Sequence, residues 1–173
     1  IGDLPAPGLQ DEFAKLASLP IPPRLKQGQH FEGLTVRSVL HESRASLLYR
    51  VTDEAQREWV LKTLNPLNAD DEQAQQGLLI EEWLQKRLTA HYFPEVKIQP
   101  ERQFLYYLVR WYHGQTLAEY RQQLGTPSIN DVVRYAIRLS RALGALHRLN
   151  IVHRDIKPEN IHIDVDDKLR ILD

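Results

Sequence analysis

Eight consecutive residues, His153-Arg154-Asp155-Ile156-Lys157-Pro158-Glu159-Asn160, constrain this chain more than any other stretch. Asp155 can accept a proton from an attacking hydroxyl. Lys157, two residues on, can neutralise charge on a moving anionic group. Asn160 offers a carbonyl oxygen and Asp173 a carboxylate, both hard ligands suited to Mg²⁺. A surface turn is the plainer alternative, since Asp, Pro and Asn all favour turns. The full octapeptide is too particular a set for that alternative to hold. Beyond it, Ile161, Ile163 and Val165, then Leu169 and Ile171, flank the turn Asp166-Asp167. A hairpin there carries Asn160 and Asp173 at its two ends and brings the prospective metal ligands together.

The rest of the composition narrows the class. A chain of 173 residues suffices for one domain with a real core. Apolar content of 42% and charged content of 26% fit a globular protein. The net charge of −1 gives no bulk reason to expect nucleic acid or an anionic membrane as partner. No run of about 18 apolar residues is present, so no membrane segment is expected. The absence of Cys excludes disulfides and thiolate metal sites, fits a reducing compartment, and makes the cytoplasm the expected location. The chain also lacks Met and stops on Asp173 directly after an apolar run. These two features create the expectation of a piece of a longer protein.

Along the chain, residues 1–30 are proline-rich (Pro5, Pro7, Pro20, Pro22, Pro23) around a short helix expected over Asp11–Leu19. This region reads as an N-terminal extension or linker. From Phe31 the pattern is strand-like: Leu34 to Leu40, Leu47 to Val51 and Glu58 to Leu64, divided by short polar turns, imply an antiparallel meander. In the third run Val60 and Lys62 share one face and Leu61 takes the other. A helix follows over 70–90 after an acidic start, which suits a helix N-terminus. Leu78, Glu81, Leu84 and Leu88 fall on one stripe, so Glu81 is expected on the buried face and Glu82 rotated away. A buried carboxylate needs a partner, and Lys62 is the natural one. Two more strands, Val96–Gln99 and Phe104–Tyr112, lead to a break at His113-Gly114. Next come a helix over Thr116–Leu124 and a long helix capped by Ser128. Its stripe Val132, Ala136, Leu139, Leu143, Leu146 is expected in the core, with Tyr135, Arg138 and Arg141 as the solvated flank.

The octapeptide resembles the catalytic loop of protein kinases residue for residue, in its serine/threonine-type version. The order of elements over residues 31–173 is similar to that family too. The implied fold is α+β and two-lobed: an N-lobe with hinge over 31–113, an antiparallel sheet plus one helix, and the start of a helical C-lobe over 114–173. Within the family, Leu19-Pro20-Ile21-Pro22-Pro23-Arg24-Leu25 and Leu40 to Tyr49 look like bacterial kinases that follow a metal-dependent protein phosphatase domain in the same chain.

The resemblance implies an ATP- and Mg²⁺-dependent enzyme that transfers the γ-phosphate to a serine or threonine hydroxyl of a protein. It implies that Lys62 grips the α/β-phosphates, positioned by Glu81, and that Asp155 acts as base and Lys157 stabilises transferred charge. Asn160 and Asp173 would hold metal. Leu40, Leu48, Val60, Val109, Trp111 and His162 would line the nucleotide pocket, although Trp111 serves equally well as a plain core aromatic. Two positions depart from the family. His41, Ser43 and Ser46 stand where three glycines are expected over the phosphates, and His162 replaces an apolar residue beneath the adenine. The rival is a pseudokinase module that docks or scaffolds and has lost the chemistry. As a 173-residue piece, the chain is expected to be inactive by itself.

Overall fold

Alternation of period two carries most of the N-terminal half into one antiparallel sheet. The computed structural model describes residues 7–97 and 99–173. Pro5 and Ile98, which belong to the expected proline-rich opening and the expected strand over Val96–Gln99, lie outside the described residues. The chain forms two compact units, one running to Arg87 and taking in Val96–Trp111, the other made of Leu88–Glu95 and Tyr112–Asp173.

In the first unit, helix α1 (Pro7–Ala17) precedes β1 (His30–Phe31), β2 (Leu34–Glu42), β3 (Ser46–Thr52) and β4 (Glu58–Leu64). Helix α2 (Glu72–Arg87), β5 (Val96–Lys97) and β6 (Tyr106–Arg110) complete it. Helix α1 is described from Pro7 to Ala17, whereas the expected span is Asp11–Leu19. The strands lie in the order β1-β2-β3-β4-β6-β5, and every neighbouring pair is antiparallel. One sheet face buries Leu34, Val36, Leu47, Tyr49, Val51, Trp59, Leu61, Tyr106 and Leu108 in a core closed by Leu25 and Phe31. The other face sets Leu64, Leu105 and Tyr107 against Leu78 and Leu79 of α2. Asp53 fastens the β3–β4 turn. Its carboxylate accepts from the Arg57 backbone N–H at 2.9 Å, Trp59 Nε1 at 3.0 Å and Lys97 Nζ at 3.2 Å. Burial opposes its charge, yet these hydrogen bonds outweigh burial and hold the carboxyl below the usual range.

The second unit places β7 (Gly114–Thr116), α3 (Leu117–Leu124), α4 (Ile129–Arg148), β8 (Ile161–Asp164) and β9 (Leu169–Ile171) in chain order. The three strands form a sheet ordered β7-β8-β9. Thr116 is the N-cap of α3, not its first residue: its hydroxyl accepts from Glu119 N–H, and Glu119 reaches back to Thr116 N–H. Ser128 caps α4 by accepting from Asp131 N–H at 3.1 Å. The core joins Tyr135, Ala142, Ala145 and Leu146 of α4 to Ile161, Ile163, Leu169, Ile171 and Phe93.

Two helix registers differ from the pattern-based expectation. In α2 the buried carboxylate is Glu82, 4% exposed, while Glu81 is only half-buried. Glu82 is drawn inward by Arg102, which meets both of its oxygens at 3.0 and 2.6 Å. In α4, Val132 and Ala136 are exposed and Tyr135 is buried. The Tyr135 hydroxyl donates to Asp167 at 3.2 Å and Arg138 also pairs with Asp167, so both turn toward the β8–β9 turn. Leu139, Leu143 and Leu146 do pack into the core, and Arg141 is exposed as expected.

Candidate active site

Strand geometry sets Lys62. On β4 it alternates with buried Trp59, Leu61 and Thr63, so it stands on the sheet face that carries α2. Its register partners are Leu48 on β3 and Tyr107 on β6, and Val60 lies opposite Val109. Leu48, Val60, Lys62 and Val109 therefore share one face. Lys62 Nζ makes an ion pair with Glu81 Oε1, and the Tyr107 hydroxyl donates to that same oxygen at 2.6 Å. The pair is partly covered, with side chains 19% and 33% exposed. Leu40 sits at an irregularity between Val39 and His41 and is 38% exposed. Trp111 follows β6: its backbone N–H donates to Glu58 O at 3.1 Å, and the Arg50 guanidinium lies 5.2 Å from its ring centre.

The segment expected to cover phosphates is closed on itself. Ser43 Oγ accepts from the backbone N–H of Ala45 at 3.2 Å and of Ser46 at 3.0 Å. Asn65 Nδ2 donates to Ser43 O at 2.9 Å, and Asn68 Nδ2 donates to Arg44 O at 2.8 Å. His41, Ser43 and Ser46 all have negative φ, so this turn does not need the glycine that a left-handed residue would favour.

In the second unit the octapeptide forms an exposed loop ending in a 3₁₀ turn, Pro158–Asn160. Arg154 adopts φ 68°, which swings the chain so that Asp155 N–H donates to His153 Nδ1 at 3.2 Å. Lys157 Nζ lies 3.0 Å from Asp155 Oδ2. That hydrogen bond holds the Asp155 carboxyl below its ordinary range and pushes the Lys157 ammonium up, so the contact pairs two charged groups at neutral pH. Asn160 is buried, and its Nδ2 donates to Asp155 O at 3.0 Å and Oδ2 at 3.1 Å. With the nitrogen so engaged, its carbonyl oxygen is the atom left to act as a ligand. Leu172 N–H donates to Asn160 O at 2.9 Å, and Ile161 pairs with Ile171, so the hairpin brings Asp173 beside Asn160.

These two donors fit a Mg²⁺ ion, which takes few protein ligands and completes its shell with water and phosphate oxygens. No cluster of three or more His, Asp or Glu suited to a metal occurs among the described residues. His162 is 7% exposed on β8, opposite Thr116 and Arg170. Burial disfavours its charged form and lowers its pKa.

Tyr107 goes unassigned in the sequence, and Gly114 reads there only as part of a break in the strand pattern. Tyr107 is legible only once β4 and β6 are aligned, which sets it across from Lys62. Gly114, at φ 149°, presses against β8: a Cβ there would stand 2.1 Å from Ile163 O.

One unit thus carries a strand lysine paired with a helix glutamate, and the other a loop–hairpin in which an aspartate, a lysine and an asparagine lie together. Residues 42–173 match the protein kinase domain family, and the chain belongs to it. Over 68 residues it is 35% identical to a probable serine/threonine-protein kinase of Clostridium acetobutylicum, covering 39% of this chain and 10% of that protein. Over 73 residues it is 34% identical to the human cAMP-dependent protein kinase catalytic subunit PRKX, covering 42% of this chain and 20% of that protein. The chain thus spans a tenth to a fifth of the length of these relatives.

Among solved structures it is similar to the apo form of PpkA-294, with TM-score 0.73 and 23% identity over 87% of this chain and 61% of that one. The Mycobacterium tuberculosis PknI kinase domain gives TM-score 0.67 and 22% identity, over 87% and 61%. The fold is that of protein kinases: an N-lobe sheet with its helix and part of the helical C-lobe. No helix among the described residues is long and apolar enough to cross a membrane.

Proposed function

We propose that this chain carries the nucleotide- and metal-handling half of an ATP- and Mg²⁺-dependent serine/threonine protein kinase. The observation that carries the reading is the Lys62–Glu81 ion pair in one unit together with the Asp155, Lys157, Asn160 and Asp173 group in the other. In this reading Lys62 holds the α/β-phosphates, with Glu81 fixing its ammonium. Leu48, Val60 and Val109, on the same sheet face, offer an apolar wall to the base, and Leu40 and Trp111 of the same unit extend it. Asp155, ionised at neutral pH, accepts the hydrogen bond of the substrate hydroxyl and orients its oxygen. Lys157 offsets charge on the transferred group. Asn160 and Asp173 would hold the metal, which supplies neutralisation of phosphate charge when bound.

None of the chemical residues is lost, which favours an enzyme over the scaffold-type alternative. The segment Leu19–Leu25 supports the narrower likeness to bacterial kinases joined to a phosphatase domain, and a cytoplasmic site of action is consistent with the lack of Cys. The test is direct. The intact protein should bind ATP only with Mg²⁺ present and label serine or threonine on a protein acceptor. Absence of both defeats the reading, and binding without transfer favours the scaffold.

A further inference from the structure

The glutamate that meets Lys62 is carried by a helix with a thin apolar face. Of the sixteen residues of α2, only Leu78, Leu79 and Glu82 are buried, and Gly77 lies in its middle. Ile80 is 50% exposed. Two leucines and one ion pair are a small hold for four turns of helix. The N-terminal segment supplies more. Phe13, Leu16 and Ala17 of α1, with Leu19 and Ile21, pack on the cluster of Leu64, Leu78, Leu79, Leu105 and Tyr107.

The segment is fastened at the C-terminal end of this contact and again beyond it. Leu105 N–H donates to Pro20 O at 2.9 Å, and further on Leu25 N–H donates to the Tyr49 hydroxyl at 3.1 Å. Leu25 itself is 2% exposed, on the opposite face of the sheet. The N-terminal segment is thereby a built part of the unit. Tyr107 links this packing to the chemistry: its ring belongs to the apolar cluster and its hydroxyl meets the Glu81 oxygen that pairs with Lys62.

We propose that the N-terminal segment, acting through α2 and Tyr107, is a positioning element for the Lys62–Glu81 pair. The Glu82–Arg102 pair gives α2 a buried anchor, while α1 sets how closely its Glu81 side approaches Lys62. A protein or modification that lifts α1 would loosen Glu81 and weaken nucleotide binding without touching a group that contacts nucleotide. This inference rests on the kinase reading for its functional consequence, but its structural half stands alone.

Two variants and two controls in the intact protein test it. Tyr107→Phe keeps the ring and removes the hydrogen bond. It should weaken Mg²⁺-ATP binding about tenfold, the range of one hydrogen bond to a charged group, with little change in melting temperature. Phe13→Ala/Leu16→Ala should speed amide hydrogen exchange over Leu78–Trp83 while β3 and β4 stay protected, and should weaken ATP binding to a similar degree. Phe13→Leu should restore both, and the exposed Lys15→Ala should change neither.

Unchanged exchange in α2 overturns the brace, whether or not the protein binds nucleotide. Faster exchange with unchanged ATP affinity also overturns it, since α1 would then be structural only. If the double variant unfolds globally, Tyr107→Phe decides, and wild-type affinity there overturns the proposal. If the unaltered protein binds no ATP, the kinase reading falls, and the exchange measurement still judges the brace.

Discussion

The Lys62–Glu81 pair and the Asp155–Lys157 pair are both lysine–carboxylate contacts, yet different forces hold them. Lys62 and Glu81 come from a strand and a helix 19 residues apart, are partly covered, and the Tyr107 hydroxyl also meets Glu81. Asp155 and Lys157 lie two residues apart on a loop, with side chains 61% and 49% exposed. The first contact is made by tertiary packing and the second by local chain geometry. In the proposed reading, cover fixes a group that holds phosphates in one place, and exposure leaves a base open to a hydroxyl that arrives from another molecule.

That contrast breaks first at Asp155. In the intact protein, Asp155→Asn should lower phosphotransfer by about 10²–10⁴-fold, as loss of a positioned acid–base group does. ATP affinity should stay within about twofold, because the proposed reading gives chemistry to this loop and binding to Lys62. Calorimetric titration alongside a transfer assay separates the two, and wild-type transfer would refute the role.

The next effect sharpens the difference between adjacent glutamates of α2. Removing Glu82 leaves Arg102 buried and uncompensated, so Glu82→Ala should cost about 3–5 kcal/mol of stability. Glu81→Ala should leave stability nearly unchanged while weakening ATP binding. Equal losses in urea unfolding for the two variants would show that the helix is not anchored as described.

A smaller change is expected in the turn over Ser43–Ser46. Ser43→Gly/Ser46→Gly removes the hydroxyl that accepts two backbone N–H groups and adds chain entropy. ATP affinity should fall by roughly 1 kcal/mol. Tighter binding would mean that the serines obstruct the phosphates.

The smallest effect concerns pH and the second unit. His162 has its folded pKa lowered below the ordinary 6.5, chiefly by burial. The folded state therefore binds fewer protons than the unfolded one as pH falls through that range. Its stability contribution is full above the unfolded value and is lost as pH drops through the folded value. Melting temperature should decline from about pH 7 downward, and His162→Leu should flatten that slope. Carboxylates such as Asp155, with an ordinary value of 3.8, titrate well below this window. An unchanged slope in His162→Leu would assign the decline elsewhere.

What could be read from the sequence follows the same division. The loop Asp155–Asn160 and the hairpin that returns to Asp173 are local, and their placement matches the reading from spacing alone. So does β4, because strict alternation around Lys62 leaves one register. The registers of α2 and α4 were not legible, because each depends on a distant partner. Arg102, 20 residues on in a turn, decides that Glu82 goes inside. Asp167, in a hairpin turn, draws Tyr135 and Arg138 inward on α4, and that helix has apolar residues on more than one side. Its Val132, Val133 and Ile137 remain about half-exposed. A pattern of period 3.6 cannot choose between two apolar faces when a polar contact makes the choice.

The close approach of β7 to β8 limits how this chain can vary through descent. Gly114 touches neither proton nor phosphate, yet its missing side chain is what lets Ile163 O and the Asp164 Cα come so near. A library randomised at this codon should return glycine almost alone among folded products, whereas neighbouring His113, exposed, should accept many residues. A single-base change at 114 would then look like loss of a catalytic residue in a genetic screen. Its lesion would be steric, and only a structural probe of β7 and β8 would tell the two apart.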